Sequence, residues 1–162
     1  AADILCAEDI QFADFPDNRM DSVALLDIVQ RTETFLSENS PDIVYTHFGA
    51  DLNIDHRITA DAVTTALRPQ PGAICPQILA CEVNSSTEWT THPATAFQPN
   101  EFLVAGEHLE TKVKALECYT SELRVSPHPR SAEGVRALAR WRGCQIGVDA
   151  AEAFVSVRRI VR

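Results

Sequence analysis

Thr46-His-Phe-Gly-Ala-Asp-Leu-Asn-Ile-Asp-His-Arg57 is the stretch on which the reading of this chain turns. Before it stands a compact β-branched and aromatic run, Ile43-Val44-Tyr45, of the kind buried in a sheet. After it, apolar residues recur at helical spacing. The stretch therefore reads as a strand end, a loop and a helix start, and the loop is crowded with Asp51, Asn53, Asp55 and His56. In open α/β sheets, ligands bind beyond the carboxyl ends of the strands. A carboxylate beside an imidazole at such a place points to a metal site or an acid/base site.

Outward from this loop, strand and helix patterns alternate. Residues 1–5 read as the end of a helix, and residues 10–14 alternate apolar and polar like a short strand. Pro16, Asp17 and Asn18 then form a turn. Asp21 or Ser22 is positioned to cap a helix reaching about residue 39, with Val23, Leu26, Val29 and Leu36 on one face. Residues 43–46 are the next strand. The following helix runs over about residues 54–68, with Arg57 and Asp61 as an i,i+4 pair. A third strand falls at residues 77–83, followed by a long Pro-containing loop to Asn100, which suggests a lid or binding loop. A short strand at 101–105, a helix over 107–123 and a helix from Ser131 to Arg142, stopping at Gly143, come next. Residues 152–160 read as a closing strand. This alternation predicts an α/β layer fold with a mostly parallel sheet.

Composition narrows the function. The chain has 162 residues, 45% of them apolar and 23% charged, which fits one globular domain with a real core. Its formal net charge of -9 argues against nucleic acid as a partner, because phosphate binding needs a basic face. No apolar run approaches the roughly 18 residues of a membrane span. Five scattered cysteines, an odd number with no Cys-x-x-Cys pair, indicate reduced thiols in a cytoplasmic protein, most of them as small core residues. Gly-x-Gly-x-x-Gly, P-loop, Gly-x-Ser-x-Gly and His-Glu-x-x-His motifs do not occur, which removes the common dinucleotide, nucleotide triphosphatase, serine hydrolase and zincin readings.

Three loops carry the polar residues that a site needs. They hold Asp17, Asn18 and Arg19; Asp51, Asn53, Asp55 and His56; and Glu82, Ser85, Ser86, Thr87, Glu88 and Trp89. In a parallel sheet they share one edge and face one crevice. His56, in the first turn of its helix, suits zinc as a neutral imidazole, with Asp55 or Asp51 orienting it. The competing reading makes Asp51, Asn53 and Asp55 helix-start residues paired with free backbone N–H groups. Glu82 stands at the rim of the crevice, and Trp89 either stacks on a sugar or packs its loop down. His47 reads as a rim or core histidine, His92 and His108 as exposed, and His128 with Arg130 as part of a rigid turn.

Asp51-Leu-Asn-Ile-Asp-His-Arg57 after Tyr45-Thr-His47 resembles the second motif of the PIG-L/LmbE-like family of zinc-dependent N-acetylglucosaminyl deacetylases. The resemblance continues in order through Phe15-Pro-Asp-Asn-Arg19, Glu82-Val-Asn-Ser-Ser-Thr-Glu-Trp89, Phe97-Gln-Pro-Asn100, Pro127-His-Pro-Arg-Ser131 and Ala150-Ala-Glu-Ala-Phe154. It implies a Rossmann-like three-layer sandwich and removal of an N-acetyl group from an amino sugar or sugar conjugate. It implies Zn2+ held by His56, with Asp55 and Asn53 as catalytic-site residues: Asp55 orients the ligand and Asn53 contacts oxyanion or substrate. Arg19, Glu82 and Trp89 become the substrate-loop candidates.

The family's early His-Pro-Asp-Asp-Glu motif, which supplies two more zinc ligands and the general base, is not in these residues. The expectation is thus a C-terminal portion of the deacetylase domain spanning 1–162, lacking the first strand-helix region and inactive by itself. Many relatives carry a histidine where this chain has Asn53; Asn53 can donate a hydrogen bond but carries no proton, and His47 is a substitute. The partner is a small N-acetylated molecule, and a homo-oligomer is compatible. The alternatives are a non-catalytic sugar- or nucleotide-binding α/β module, a pseudoenzyme, or an oligomerisation fragment using its arginine-rich C-terminal part.

Overall fold

The computed structural model describes residues 1–91 and 96–161. It contains helices α1 (Ala2–Leu5), α2 (Leu25–Asn39), α3 (Ile54–Ala66), α4 (Leu109–Glu117) and α5 (Ala132–Ile146), with strands β1 (Ile43–His47), β2 (Gln77–Cys81), β3 (Glu101–Val104) and β4 (Ala151–Arg158). The strands hydrogen-bond in the order β1-β2-β4-β3. The chain gathers into two compact units, residues 1–12 with 101–153 and residues 13–100 with 154–162.

The second unit carries the loop between β1 and α3. β1 and β2 run parallel, pairing Ile43 with Gln77 through to His47 with Cys81. The end of β4 lies antiparallel to β2, with Cys81 opposite Phe154 and a register irregularity at Ile78 and Leu79. Ile28 and Val29 of α2 meet Ala62 of α3, and Phe15, Met20, Val23 and Ile58 close around them. Leu36, Leu67 and Ile78 form a second apolar cluster with Val44 and Val63. Removal of these side chains from water is what holds the two helices against the strand pair.

In the first unit, Leu109 of α4, Ala139 of α5 and Ala150 form the buried cluster. Arg136 donates to both carboxylate oxygens of Glu110, at 2.8 and 2.7 Å, joining α5 to α4. Ser131 caps α5, its hydroxyl accepting from the Gly134 N–H at 3.0 Å.

The α/β class stands, but the sheet is not mostly parallel. β1 and β2 are its parallel pair, and β4 runs against β2. One helix between strands restores direction, as α3 does between β1 and β2. Two helices separate β3 from β4, and a helix pair reverses the chain. Local periodicity does not carry that distinction.

Other boundaries moved as well. Residues 10–14 form no strand, and Phe12 is 77% exposed. Ala24 rather than Asp21 or Ser22 precedes α2, because Met20–Ser22 make a 3-10 turn of their own. The 107–123 helix is only nine α-helical residues, entered through a 3-10 turn. α5 passes through Gly143 and stops at Gly147, whose φ of 78° suits glycine. Gly143 is needed for space: a Cβ there would lie 2.5 Å from the Val148 carbonyl oxygen. The cysteines are free and none is fully buried, so they are not core residues. Ile43 and Tyr45 are also half exposed: they lie on one face of β1 and alternate with Val44 and the buried Thr46 on the other, so only one face of the strand is packed.

Candidate functional site

The site begins with backbone requirements. The chain leaves β1 at His47 and must turn into α3, whose first N–H groups have no partners within the helix. Asn53 supplies them: its side-chain oxygen accepts from the Asp55 N–H at 2.8 Å and from the His56 N–H at 3.4 Å. Arg57 secures the turn from the other side by donating to the Asp51 and Leu52 carbonyl oxygens at 2.8 and 2.6 Å. The expected Arg57–Asp61 pair is replaced by these contacts. His56 is thereby fixed in the first turn of α3, at the carboxyl end of β1.

Asp51 is the centre of the polar network. It is 1% exposed, yet each carboxylate oxygen is satisfied. Oδ1 accepts from the Asn53 N–H at 2.9 Å, from the Ser86 hydroxyl and from His56 Nδ1, which lies 2.9 Å away. Oδ2 accepts from the Thr87 hydroxyl at 2.5 Å. Burial alone would push the carboxyl group up, but the hydrogen bonds from His56, Ser86, Thr87 and the Asn53 N–H outweigh it and hold Asp51 down at about 2. An ionised Asp51 keeps the proton of a neutral His56 on Nδ1 and leaves the Nε2 lone pair bare.

The two other polar loops meet here, as the three-loop reading expects. The parallel register sets His47 opposite Cys81, so Asp51 and Ser86 stand four and five residues past paired strand ends. Glu88 folds the second loop by accepting from the Ser85 and Ser86 N–H groups at 2.6 and 3.2 Å. From the first loop, the Asn18 and Met20 N–H groups donate to Asp55 at 2.6 and 3.0 Å. The Asn53 side-chain amide reaches Asn18 Oδ1 at 3.3 Å.

These contacts redistribute the expected roles. Asp51, and not Asp55, orients His56; Asp55 anchors residues 18–20. Asn53 is the cap of α3, with its amide donor turned toward Asn18. Arg19 is exposed in the loop that Asp55 anchors, Glu82 is half buried just after β2, and Trp89 is 46% exposed at the end of the 3-10 turn Thr87–Trp89. His128 accepts from the Arg130 N–H at 3.1 Å within its turn. His92 lies outside the described residues. The sequence reading missed the roles of Ser86 and Thr87 and the pairing of His47 with His56. The matched offsets past β1 and β2 are the signal that would have found the hydroxyls.

His47 and His56 stack face to face, with ring centroids 4.2 Å apart and planes 9° from parallel. Burial, seconded by the neighbouring His56, pushes His47 down to about 4, against the opposing pull of Asp51. Its Nδ1 is buried and has no hydrogen-bond partner among the described residues. Among those residues no group of three His, Cys, Asp or Glu side chains is placed to hold a metal ion. His56 nevertheless has the form of a single ligand, with one nitrogen tied to a carboxylate and the other bare. No helix among the described residues is long and apolar enough to cross a membrane.

Residues 1–67 match the PIG-L family, described as GlcNAc-PI de-N-acetylase. No curated protein sequence matches at a significant level. Several solved structures share the fold, among them the following three. The conserved protein TT1542 from Thermus thermophilus has 22% identity and a TM-score of 0.76, over 99% of this chain and 71% of its own. GalB, the 4-carboxy-2-hydroxymuconate hydratase from Pseudomonas putida KT2440, has 23% identity and a TM-score of 0.77, over 99% of this chain and 69% of its own. The N,N'-diacetylchitobiose deacetylase from Pyrococcus horikoshii has 18% identity and a TM-score of 0.70, over 94% of this chain and 58% of its own.

Proposed function

From the match of residues 1–67 to the PIG-L family, we propose that the chain belongs to a zinc-dependent hydrolase that removes an N-acetyl group from an amino sugar or sugar conjugate. The observation that carries this reading is the 2.9 Å contact between His56 Nδ1 and a buried, ionised Asp51 at the carboxyl end of β1. A carboxylate that fixes the tautomer and raises the basicity of the opposite nitrogen is what a zinc-binding histidine requires. Zinc held at His56 Nε2 would acidify a water toward a pKa of about 7 and polarise the amide carbonyl.

The chain's own residues prepare the site for that chemistry. Asp51 keeps the His56 proton on Nδ1. Ser86 and Thr87 keep Asp51 ionised and immobile. Asp55 holds the loop that carries Arg19, so that Arg19, Glu82 and Trp89 serve as the substrate-contacting groups. Asn53 sets the first turn of α3. One imidazole is one ligand of a zinc site, and in this reading the other ligands and the general base are those of the family's early motif, outside these residues. The free cysteines support a reducing, cytoplasmic setting.

The test is made on the complete gene product that contains these residues. N-acetylated amino sugars and their conjugates are screened for acetate release, with and without chelator. In parallel, His56→Ala is expected to lower bound zinc from about one per chain to near none, since a three-ligand zinc site loses its closure with any ligand. Unchanged zinc content in the variant would remove His56 from the site.

The likeness to a hydratase supplies a second reading, with water added to an unsaturated acid in place of an acetamide. A dienoic 2-hydroxy acid in the same screen separates the two, because hydration consumes the substrate's conjugated absorbance and releases no acetate.

A further inference from the structure

We propose that His47 is a positioning residue: by stacking on the ring of His56 it fixes the direction in which His56 Nε2 points. The metal-binding part of this inference rests on the proposed deacetylase reading; the geometric part does not. The hydrogen bond from Nδ1 to Asp51 Oδ1, at 2.9 Å, constrains His56 within the plane of its ring. It leaves the ring free to tilt about the line joining the two atoms. A second aromatic face 4.2 Å away and 9° from parallel removes that tilt. Two constraints at right angles define one direction for the remaining nitrogen.

The partner ring is well placed for this work. His47 is the last residue of β1 and is held in register with Cys81, on a strand and not on a loop. A group that must be held to fractions of an ångström is held best by regular structure. Nδ1 of His47 does not fix the ring, because that buried atom has no hydrogen-bond partner among the described residues. The flat face of the ring is therefore the feature in use, and that gives a sharp expectation: a residue with a face and no nitrogen should serve.

Three variants test this: His47→Phe, which keeps a face, His47→Ala, which removes it, and His56→Ala. On the 162-residue chain without metal, the exchange of the His56 Nδ1 proton with solvent is followed by NMR. The proton should be as protected in His47→Phe as in the parent, and should exchange about tenfold faster in His47→Ala. On the complete gene product, zinc affinity is measured by competition with a chromogenic chelator. It should fall about tenfold in His47→Ala, in the range seen when a residue that supports a metal ligand is lost, and be retained within about threefold in His47→Phe. Equal loss in the Phe and Ala variants would mean that a ring nitrogen is needed, and would overturn the stacking role, as would no change in either. If His47→Ala does not fold, His47→Leu, which fills the space without a flat face, takes its place with the same expected tenfold effects, and the absence of any loss in it would overturn the stacking role. If His56→Ala leaves zinc binding intact, the zinc reading fails, while the exchange experiment still judges the geometry.

Discussion

Asp51 and His47 show how burial acts oppositely on two titratable groups that sit one residue-contact apart around His56. The carboxylate is surrounded by donors and is held down at about 2, whereas the imidazole lacks them and is pushed to about 4. Both are depressed from their ordinary values, so both favour the folded state at neutral pH and cease to do so in acid, in separate windows. His47 resists protonation when folded and accepts a proton near 6.5 when unfolded. Its contribution is complete above pH 6.5 and declines as pH falls toward 4. A depression of that size corresponds to about 3 kcal/mol. Asp51 adds its own decline only below about 3.8, the ordinary value of its carboxyl group. Urea unfolding between pH 7 and 4.5 should therefore show a loss of stability that His47→Phe largely removes, since phenylalanine has no proton to take up. A slope unchanged in that variant would assign the titration elsewhere.

The loops are more ordered than their sequences suggest because side chains replace the backbone partners that the strand and helix ends leave over. Asp55 is the plainest case, accepting from two N–H groups of a loop more than 30 residues away in sequence. Asp55→Ala should free residues 18–20 and cost about 2 kcal/mol, the usual range for hydrogen bonds to a charged acceptor. Amide exchange at Asn18 and Met20 should rise at least tenfold, with the His56–Asp51 contact unaffected. Slow exchange at both amides in the variant would show that something else holds the loop. This division of labour also marks what the sequence could convey. The crowding of Asp51, Asn53, Asp55 and His56 between a strand and a helix was legible, as was the convergence of three loops, because both follow from the strand-loop-helix pattern. Which carboxylate faces His56 was not, because Asp51 and Asp55 differ only in where the turn sends them. The capping alternative for Asn53 proved to be its structural role, and the carboxylate role passed to a neighbour. The end of α4 is hidden for a similar reason: apolar spacing persists through Leu123 although the chain leaves the helix after Glu117.

The order of the strands, like the direction of β4, lay beyond any local signal, and that order determines which strands end the sheet. With the order β1-β2-β4-β3, the terminal strands are β1 and β3. Both carry large apolar residues in the open: Ile43 is 44% and Tyr45 50% exposed on β1, and Leu103 is 48% and Val104 66% exposed on β3. Unpaired strand edges flanked by apolar side chains invite pairing with another chain, and a lysine there is a natural way of preventing it. The net charge of -9 opposes such association through long-range repulsion, which salt screens to about 8 Å at physiological ionic strength. Self-association of the 162-residue chain should accordingly grow with salt, and Ile43→Lys or Val104→Lys should reduce it at a given salt concentration. Neither side chain takes part in the network around Asp51, so the stacked His47–His56 pair is expected to stay intact in both variants. Light scattering across a salt series reads the association directly. Scattering that falls with salt, or that neither lysine changes, would locate the contacts away from the sheet edges.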